Sequence, residues 1–305
     1  MSQSVIHPEQ RDNGGLYCYL ATPFDNRGEI DVDVLEEYTK RMIAAGVTGV
    51  TCVASTCEGP YLQEWERRLV VETVARAVAG KVQLNVGVGA YSTHQVIEHA
   101  GHAQDVGATS LMLEVPQYFS VSIQAVQRHY TEIAETIRVP IRLYNLPWAT
   151  HLDLAPEVIA RICDVESISS VKEASHDITR LRDLKALCGD RIALYCGFHY
   201  QALDGFRFGA SGWEIMMHPL IAQPCVELYQ LLLADPWSSV AEAAFLRLEP
   251  MFQFFRIYGV PQSIKAMSLR SDLSLGRMRA PLQDLPVGAE ARLMEILDRL
   301  TLPTT

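Results

Sequence analysis

The sequence predicts an α/β protein, a (β/α)8 barrel followed by a C-terminal helical extension. Two observations predict this fold: short β-branched segments alternate strictly with longer helical patterns, and roughly eight such strand–helix units follow one another. Strict alternation makes the strands parallel, because each helix crosses over between two neighbouring strands. The alternative is an open doubly wound sheet, but its usual Gly-x-Gly-x-x-Gly pattern is missing where the first strand runs into Thr22-Pro23-Phe24.

The predicted strands are short apolar runs, the composition of strands that are buried on both faces. They cover residues 15–24, 47–54, 82–88, 110–114, 141–145, 168–172, 192–196 and 212–216. The predicted helices have longer, helix-like patterns, amphipathic at 62–79. They cover residues 32–45, 62–79, 93–105, 123–137, 156–163, 178–187, 200–208 and 221–233.

The alternation stops after about residue 235. Three more helical patterns follow, at residues 240–255, 261–269 and 288–300, with a loop at 278–281. We therefore expect a flexible N-terminal tail at 1–14, a barrel at 15–235 and a helical extension at 236–305.

Composition indicates a globular protein with a large core, since 49% of the residues are hydrophobic and 20% are charged. The net charge of −10 argues against nucleic acid or an anionic membrane surface as the main partner, because both need a concentrated positive surface. A small anionic substrate remains compatible with this charge, because a local pocket can oppose it.

Cysteine usage and the start of the chain both indicate a cytoplasmic protein. The seven cysteines are odd in number and include no Cys-x-x-Cys pair, which is typical of reduced, buried thiols. Residues 1–14 lack the apolar stretch of a secretory signal, and no apolar segment is long enough to span a bilayer.

Lys172 is the most informative residue, because an apolar strand pattern at 167–171 runs straight into it. The other four lysines lie in helical or turn segments, where we expect an ammonium group to stay in water; they are Lys40, Lys81, Lys185 and Lys265. Burial of the Lys172 amine disfavours its charged form and lowers its pKa. A neutral amine can form a Schiff base with a ketone. The alternative is a lysine whose stem packs while its head reaches water.

The barrel fold predicts one pocket at the C-terminal ends of the strands, because the catalytic groups of such barrels lie there. The groups that we place there are Ser55 and Thr56, Tyr118, Tyr144, Lys172, Gly197 and Glu214. This set suits imine chemistry. The amine attacks a carbonyl, a phenol shuttles protons, and adjacent hydroxyls with backbone N–H groups bind a carboxylate.

An ordered set of motifs resembles the dihydrodipicolinate synthase and N-acetylneuraminate lyase family of Schiff-base barrels, over nearly the whole chain after residue 15. The motifs are Thr22-Pro23-Phe24, Ser55-Thr56-Cys57-Glu58, Tyr144-Asn145-Leu146-Pro147, Val171-Lys172-Glu173-Ala174 and Gly276-Arg277-Met278-Arg279-Ala280-Pro281.

The resemblance implies a role for each residue. Lys172 would be the Schiff-base lysine and Tyr144 the proton shuttle. Ser55 and Thr56 would bind the carboxylate of a 2-oxo acid, and Ser55 would link Tyr144 to Tyr118 in a proton relay. Gly197 and the backbone at Glu214 would shape the pocket. The resemblance also implies a homotetramer, with a homodimer as the alternative, in which Tyr118 approaches a neighbouring subunit's site.

Two departures from the family pattern bear on the substrate. Ala54 and Cys57 replace two glycines of the usual Gly-Thr-Thr-Gly-Glu turn, which predicts a stiffer loop. Ala149 stands where dihydrodipicolinate synthases carry an arginine that binds a carboxylate, and Trp148 makes this rim more apolar. Glu214 replaces a residue that is usually apolar, and could bind a substrate hydroxyl or amine, or point away.

The preferred function is therefore a lyase that acts on a 2-oxo acid through an imine at Lys172, but not in lysine biosynthesis. Aldol cleavage releasing pyruvate is one possibility, and dehydration or deamination of a sugar acid or a hydroxyproline-derived pyrroline carboxylate is another. A barrel that only binds ligands and a phosphate-binding isomerase are the rival classes. We expect neither a cofactor nor a metal, because His199, His218 and Glu214 do not form a ligand spacing.

Overall fold

The structure is a computed structural model that describes residues 12–115, 118–119 and 121–301. Its eight strands form a closed parallel barrel in chain order, which confirms the predicted fold. The strands are β1 (Gly15–Tyr19), β2 (Gly49–Cys52), β3 (Gln83–Gly87), β4 (Ser110–Glu114), β5 (Ile141–Asn145), β6 (Ile168–Glu173), β7 (Ala193–Cys196) and β8 (Gly212–Met216).

Nine helices follow the strands of the barrel in the described chain, and three more form the predicted C-terminal helical region. The helices are α1 (Val32–Ala44), α2 (Glu64–Val78), α3 (Thr93–Asp105), α4 (Ile123–Ala134), α5 (Pro147–Thr150), α6 (Pro156–Ile162), α7 (Thr179–Cys188), α8 (Ala202–Arg207), α9 (Pro219–Ala234), α10 (Ser239–Tyr258), α11 (Val260–Ser268) and α12 (Ala289–Thr301).

Local signals start these helices. The side chains of Asp31, Ser92, Ser122 and Ser238 each accept a hydrogen bond from a backbone N–H of the first turn, in α1, α3, α4 and α10 respectively. Helix α9 starts with Pro219, whose missing N–H costs nothing at that position. In α1, α3 and α4 these caps set the turns that carry the chain from a strand into its crossover helix.

The chain divides into two compact units, which we describe separately. The first consists of Met1–Tyr17 and Gln83–Glu214, and the second of Cys18–Val82 and Ile215–Thr305. In the first unit, strands β3 to β7 and the first three residues of β8 pair as parallel neighbours, and these residues are buried except Gln83. In the second unit, α1 packs on α2 and α9, and α10 packs on α11 and α12.

Two predicted strands extend too far. The second was predicted to reach residue 54, but β2 ends at Cys52 because Val53 has a φ of 49°, which a strand cannot accommodate. The first was predicted to reach residue 24, but β1 ends at Tyr19, and Phe24 makes only an isolated antiparallel bridge with Ile30. Both overruns arise because buried apolar residues continue past the strand into the loop.

The predicted flexible tail falls largely on residues 1–11, which lie outside the described residues. Asp12 belongs to that predicted tail and is not loose. Its carboxylate accepts hydrogen bonds from the Tyr195 hydroxyl at 2.6 Å and from Arg142 at 2.6 Å. The partners that bury Asp12 lie more than 100 residues away in the chain, so a local sequence pattern does not reveal them.

Candidate active site

Lys172 is buried in β6, with only 3% of its surface exposed. Its Nζ atom lies over the Tyr144 ring, 4.4 Å from the ring centre. The two residues are cross-strand partners in the register of β5 and β6, and Tyr195 is the partner of Lys172 on β7. The structure therefore brings the predicted amine and the predicted phenol together at the C-terminal ends of adjacent strands.

The residues that follow this pair, Asn145 and Glu173, point to the opposite face of the sheet, because side chains alternate along a strand. The Asn145 amide donates to the Glu173 carboxylate at 2.9 Å, and the Ser175 backbone N–H donates to it at 2.6 Å. Burial raises the pKa of Glu173, although these hydrogen bonds oppose the rise. Asn145 also holds the loop at Leu154 through its side chain. These contacts fix the two strand ends that carry Tyr144 and Lys172.

Glu114 is a residue that the sequence reasoning did not single out. It ends β4, is 8% exposed, and is the cross-strand partner of Tyr144. Its carboxylate fills the space beside Gly89, where an added Cβ would lie 2.4 Å from it. The sequence pattern that identified Lys172 could also have identified Glu114, because the apolar run at 111–113 ends in this charged residue.

Gly197 follows β7 and approaches β6 closely. Its backbone N–H donates to the Glu173 carbonyl at 3.0 Å, and an added Cβ would lie 2.7 Å from that oxygen and 2.8 Å from the Ala174 Cβ. Only glycine allows this approach. A role for Gly197 in shaping the substrate pocket stays a prediction.

Ser55 and Thr56 belong to the second unit and lie in a single 3-10 turn, Ser55–Cys57. The turn is held by the Thr22 hydroxyl, which donates to the Cys57 carbonyl at 2.7 Å. The Ser55 Oγ atom is buried and has no hydrogen-bond partner among the described residues. A buried hydroxyl without a partner is costly unless something else binds it. The predicted carboxylate-binding role of Ser55 and Thr56 stays a prediction.

Backbone strain flanks this turn. Val53 and Glu58 both have positive φ angles, of 49° and 64°. Such angles are rare for a β-branched residue and tend to occur at functional sites. The expected stiffening at Ala54 and Cys57, the two positions where the family pattern has glycine, stays a prediction.

Tyr118 is 75% exposed in this single chain. Its ring makes edge contacts with Tyr91 at 5.9 Å and with Phe119 at 5.0 Å between ring centres. Its neighbours Pro116 and Gln117 lie outside the described residues. The proposed relay from Tyr144 through Ser55 to Tyr118 therefore stays a prediction.

Glu214 is fully buried in a charged cluster of the first unit. The Arg142 guanidinium lies 3.1 Å from its carboxylate, and the Asn85 amide donates to it at 3.0 Å. Arg142 is also buried and stacks on the rings of Tyr17 and Tyr195, 4.2 and 3.6 Å from their centres. The substrate-binding role of Glu214 stays a prediction, and these contacts are those of a structural ion pair.

The expectation that Lys265 stays in water is wrong. Lys265 is 1% exposed in α11, and its Nζ atom lies 2.5 Å from the Glu58 carboxylate and donates to the Arg277 carbonyl at 2.9 Å. Burial lowers the pKa of Lys265, and the negative charge of Glu58 opposes the fall. The chain thus contains a second buried lysine, which is committed to an ion pair that anchors the Glu58 turn.

All seven cysteines are buried free thiols. The described part of the chain contains no group of three or more His, Cys, Asp or Glu side chains that could hold a metal ion. None of the described helices combines the length and apolar character needed to cross a bilayer.

Comparisons with known proteins agree on one family. A model of the dihydrodipicolinate synthetase family matches residues 12–300. The 4-hydroxy-tetrahydrodipicolinate synthase of Exiguobacterium sibiricum is 30% identical over 284 residues, which are 93% of this chain and 96% of the relative. The enzyme of the same name from Methanococcus maripaludis is 29% identical over 289 residues, 94% of this chain and 99% of the relative.

A crystal structure from Pseudomonas aeruginosa, provisionally assigned as a dihydrodipicolinate synthetase, superposes with a TM-score of 0.91 at 33% identity. The match covers 95% of this chain and all of that one. The chain therefore belongs to the dihydrodipicolinate synthetase family, whose members are lyases that work through a Schiff base.

Proposed function

We propose that this protein is a lyase that acts on a 2-oxo acid of the pyruvate type through a Schiff base at Lys172. The observation that supports it most is the buried Nζ atom of Lys172, 4.4 Å from the centre of the Tyr144 ring at adjacent strand ends. A sheltered amine beside a phenol has both parts that imine chemistry needs, a nucleophile and a group that relays protons.

The reaction follows from these two groups. The Lys172 amine adds to the C2 carbonyl of the oxo acid, and water leaves as the imine forms. Cleavage of the C3–C4 bond of a 4-hydroxy-2-oxo acid releases an aldehyde, because the electron pair of that bond moves into the protonated imine and gives an enamine. In this proposal Tyr144 supports removal of the C4 hydroxyl proton. The enamine then takes a proton at C3, and water releases the oxo acid and restores the amine.

Ser55 and Thr56 are proposed to hold the carboxylate of the oxo acid. The Oγ atom of Ser55, which is buried and has no hydrogen-bond partner in the described part of the chain, supports this role, since a carboxylate oxygen would supply the missing acceptor. Tyr118 is proposed to complete the proton relay in an oligomer. We propose a homotetramer, with a homodimer as the alternative, in the cytoplasm, and the exposed aromatic rings of Tyr118 and Phe119 agree with a surface that a partner covers.

We propose further that the chain is not the lysine-pathway enzyme for which its curated relatives are named. Ala149 stands where those synthases carry the carboxylate-binding arginine, and the adjacent Trp148 presents a half-exposed apolar ring. An arginine binds a carboxylate through two parallel hydrogen bonds, which neither residue can replace. Dehydration or deamination through the same imine is the alternative reaction.

The test is reductive trapping. The protein is incubated with pyruvate and sodium borohydride, and its intact mass is measured. We expect a gain of one reduced pyruvate per chain, and no gain in Lys172→Ala. An unmodified wild-type mass with pyruvate and with larger 2-oxo acids would contradict the proposal.

A further inference from the structure

Four rings stand at the ends of three adjacent strands beside Lys172. Trp148 follows β5 by three residues, His176 follows β6 by three, and Phe198 and Tyr200 follow β7 by two and four. We call these four side chains the aromatic stack. His176 stacks on Phe198 with ring centres 4.4 Å apart and planes 14° apart, and Phe198 stacks on Tyr200 at 5.2 Å and 25°. Trp148 lies 6.5 Å from His176.

The backbone is shaped to hold the stack. Gly197 approaches the Glu173 carbonyl so closely that no side chain fits, and this places Phe198 beside the loop after β6. His176 has a φ of 71°, an unusual angle for a residue other than glycine. The His176 carbonyl accepts a hydrogen bond from the Gln201 side chain at 2.9 Å, and its Nδ1 atom is hydrogen-bonded to the Tyr200 hydroxyl at 2.5 Å. Strain fixed in this way is typical of binding sites.

The rings are not buried as a hydrophobic core would be. Trp148 is 50% exposed, His176 is exposed, and Phe198 and Tyr200 are half-buried. Exposed aromatic faces gathered at a strand end are costly in water and favour a flat apolar ligand. They lie at the end of the barrel where Lys172 would hold the oxo acid.

The loops after β5, β6 and β7, all of whose residues the structure describes, contain no lysine or arginine for a second carboxylate. Ala149 has no charge, and Arg180, which donates to the carbonyl of Leu154 in this region, binds both carboxylate oxygens of Asp153. An anionic aldehyde would therefore face apolar rings without a counter-ion. An aromatic aldehyde would stack on them.

We propose that the aromatic stack binds the aryl group of an aromatic aldehyde, which the enzyme joins to or releases from the 2-oxo acid. This proposal rests on the proposed function. In the joining direction, the enamine of pyruvate at Lys172 attacks the aldehyde carbon with its C3 atom. The new C–C bond takes the enamine electron pair, the alkoxide takes a proton, and water releases the 4-aryl-4-hydroxy-2-oxobutanoate from the imine.

The experiment measures product formation from saturating pyruvate and three aldehydes: benzaldehyde, succinic semialdehyde and butanal. We expect kcat/KM for benzaldehyde to exceed the value for succinic semialdehyde by roughly a hundredfold and the value for butanal by roughly tenfold. Borohydride trapping of pyruvate is measured in parallel.

Three variants test the stack itself. Trp148→Ala and Phe198→Leu should each raise KM for benzaldehyde about tenfold and leave pyruvate trapping unchanged. Trp148→Phe keeps an aromatic face and should recover most of the loss, which separates stacking from a folding defect. Trp237→Ala removes another exposed tryptophan, outside this loop region, and should change neither measurement.

The outcomes separate the two proposals. Intact pyruvate trapping with no product from benzaldehyde, or with a preference for succinic semialdehyde, overturns the aromatic subsite and leaves the lyase standing. Loss of benzaldehyde turnover in Trp237→Ala equal to that in Trp148→Ala also overturns it. A wild-type protein that fails to trap any oxo acid overturns both.

Discussion

The guanidinium of Arg142 lies 3.1 Å from the carboxylate of Glu214, and neither side chain is exposed to solvent. Removing one member of a buried ion pair leaves the other charge desolvated and uncompensated. We therefore predict that breaking this pair destabilises the protein. The same variant tests whether Glu214 binds the substrate.

Glu214→Gln should lower the free energy of unfolding by about 3 kcal/mol, because Asp12 is then the one carboxylate partner that Arg142 keeps among the residues the structure describes. The double variant Arg142→Met with Glu214→Met should lose less than the sum of its single variants, as measured by urea unfolding. If Glu214 contacts substrate instead, Glu214→Gln will raise KM while stability stays near the wild-type value.

Tyr144→Phe removes the phenol oxygen but keeps the ring that packs against Lys172. We expect kcat to fall by roughly 10²- to 10⁴-fold, because the step loses its proton relay. Pyruvate should still be trapped by borohydride, only more slowly. An unchanged kcat in stopped-flow or steady-state assays would remove Tyr144 from the mechanism.

Ser55→Ala separates binding from folding. Because the Ser55 hydroxyl is buried and has no partner among the described residues, its loss should leave the ligand-free protein at least as stable as wild type, with a gain of about 1 kcal/mol in the free energy of unfolding. KM for pyruvate should rise at least about tenfold, since a hydrogen bond to a charged group is lost. Thr22→Val provides the contrast: its hydroxyl does have a partner, the Cys57 carbonyl, so its loss should cost about 1 kcal/mol of stability.

His218 predicts how stability depends on pH. Burial lowers the pKa of His218 to about 4, while the Leu273 carbonyl, which accepts from Nε2 at 3.1 Å, partly opposes the fall. The unfolded chain, with an ordinary pKa of about 6.5, therefore binds more protons than the folded one between those values. Stability contributed by a neutral His218 should be complete above pH 6.5 and fall as pH falls toward 4.

His218→Gln should flatten this part of the stability curve when urea midpoints are compared across that range. His129 has a similarly lowered pKa of about 4, caused by burial, so it should retain its own share of the dependence. An identical slope in wild type and His218→Gln would show that His218 is not responsible.

Lys265→Met tests the second buried lysine. The variant leaves Glu58 buried without its cation and should lose about 3 to 5 kcal/mol of stability in urea unfolding. At a temperature where it remains folded, it should still form the pyruvate adduct. Loss of the adduct in a folded Lys265→Met variant would indicate that Lys265, and not Lys172, is the nucleophile.

The sequence predicted the fold and the Tyr144–Lys172 pair because both rest on local signals. Each apolar run predicted a strand. The residue at the end of the run was therefore expected at the C-terminal edge of the barrel. Asp12, Lys265 and Glu214 were misjudged or left open because their environments depend on partners more than 70 residues away in the chain, Arg142, Glu58 and Arg142 respectively. The aromatic stack was missed for a related reason. It depends on the close approach at Gly197 and the unusual φ of His176, which no periodic pattern encodes.

The measurement that tests the central claim most directly is the position of the trapped adduct. Wild-type protein is reduced with borohydride in the presence of pyruvate, digested, and mapped by peptide mass spectrometry. The chain has five lysines, and two of them, Lys172 and Lys265, are buried. The peptide map therefore shows whether the adduct forms at Lys172 in particular or at any buried lysine. The account predicts one adduct, on Lys172, and an adduct on Lys265, on the exposed lysines, or on none would contradict it.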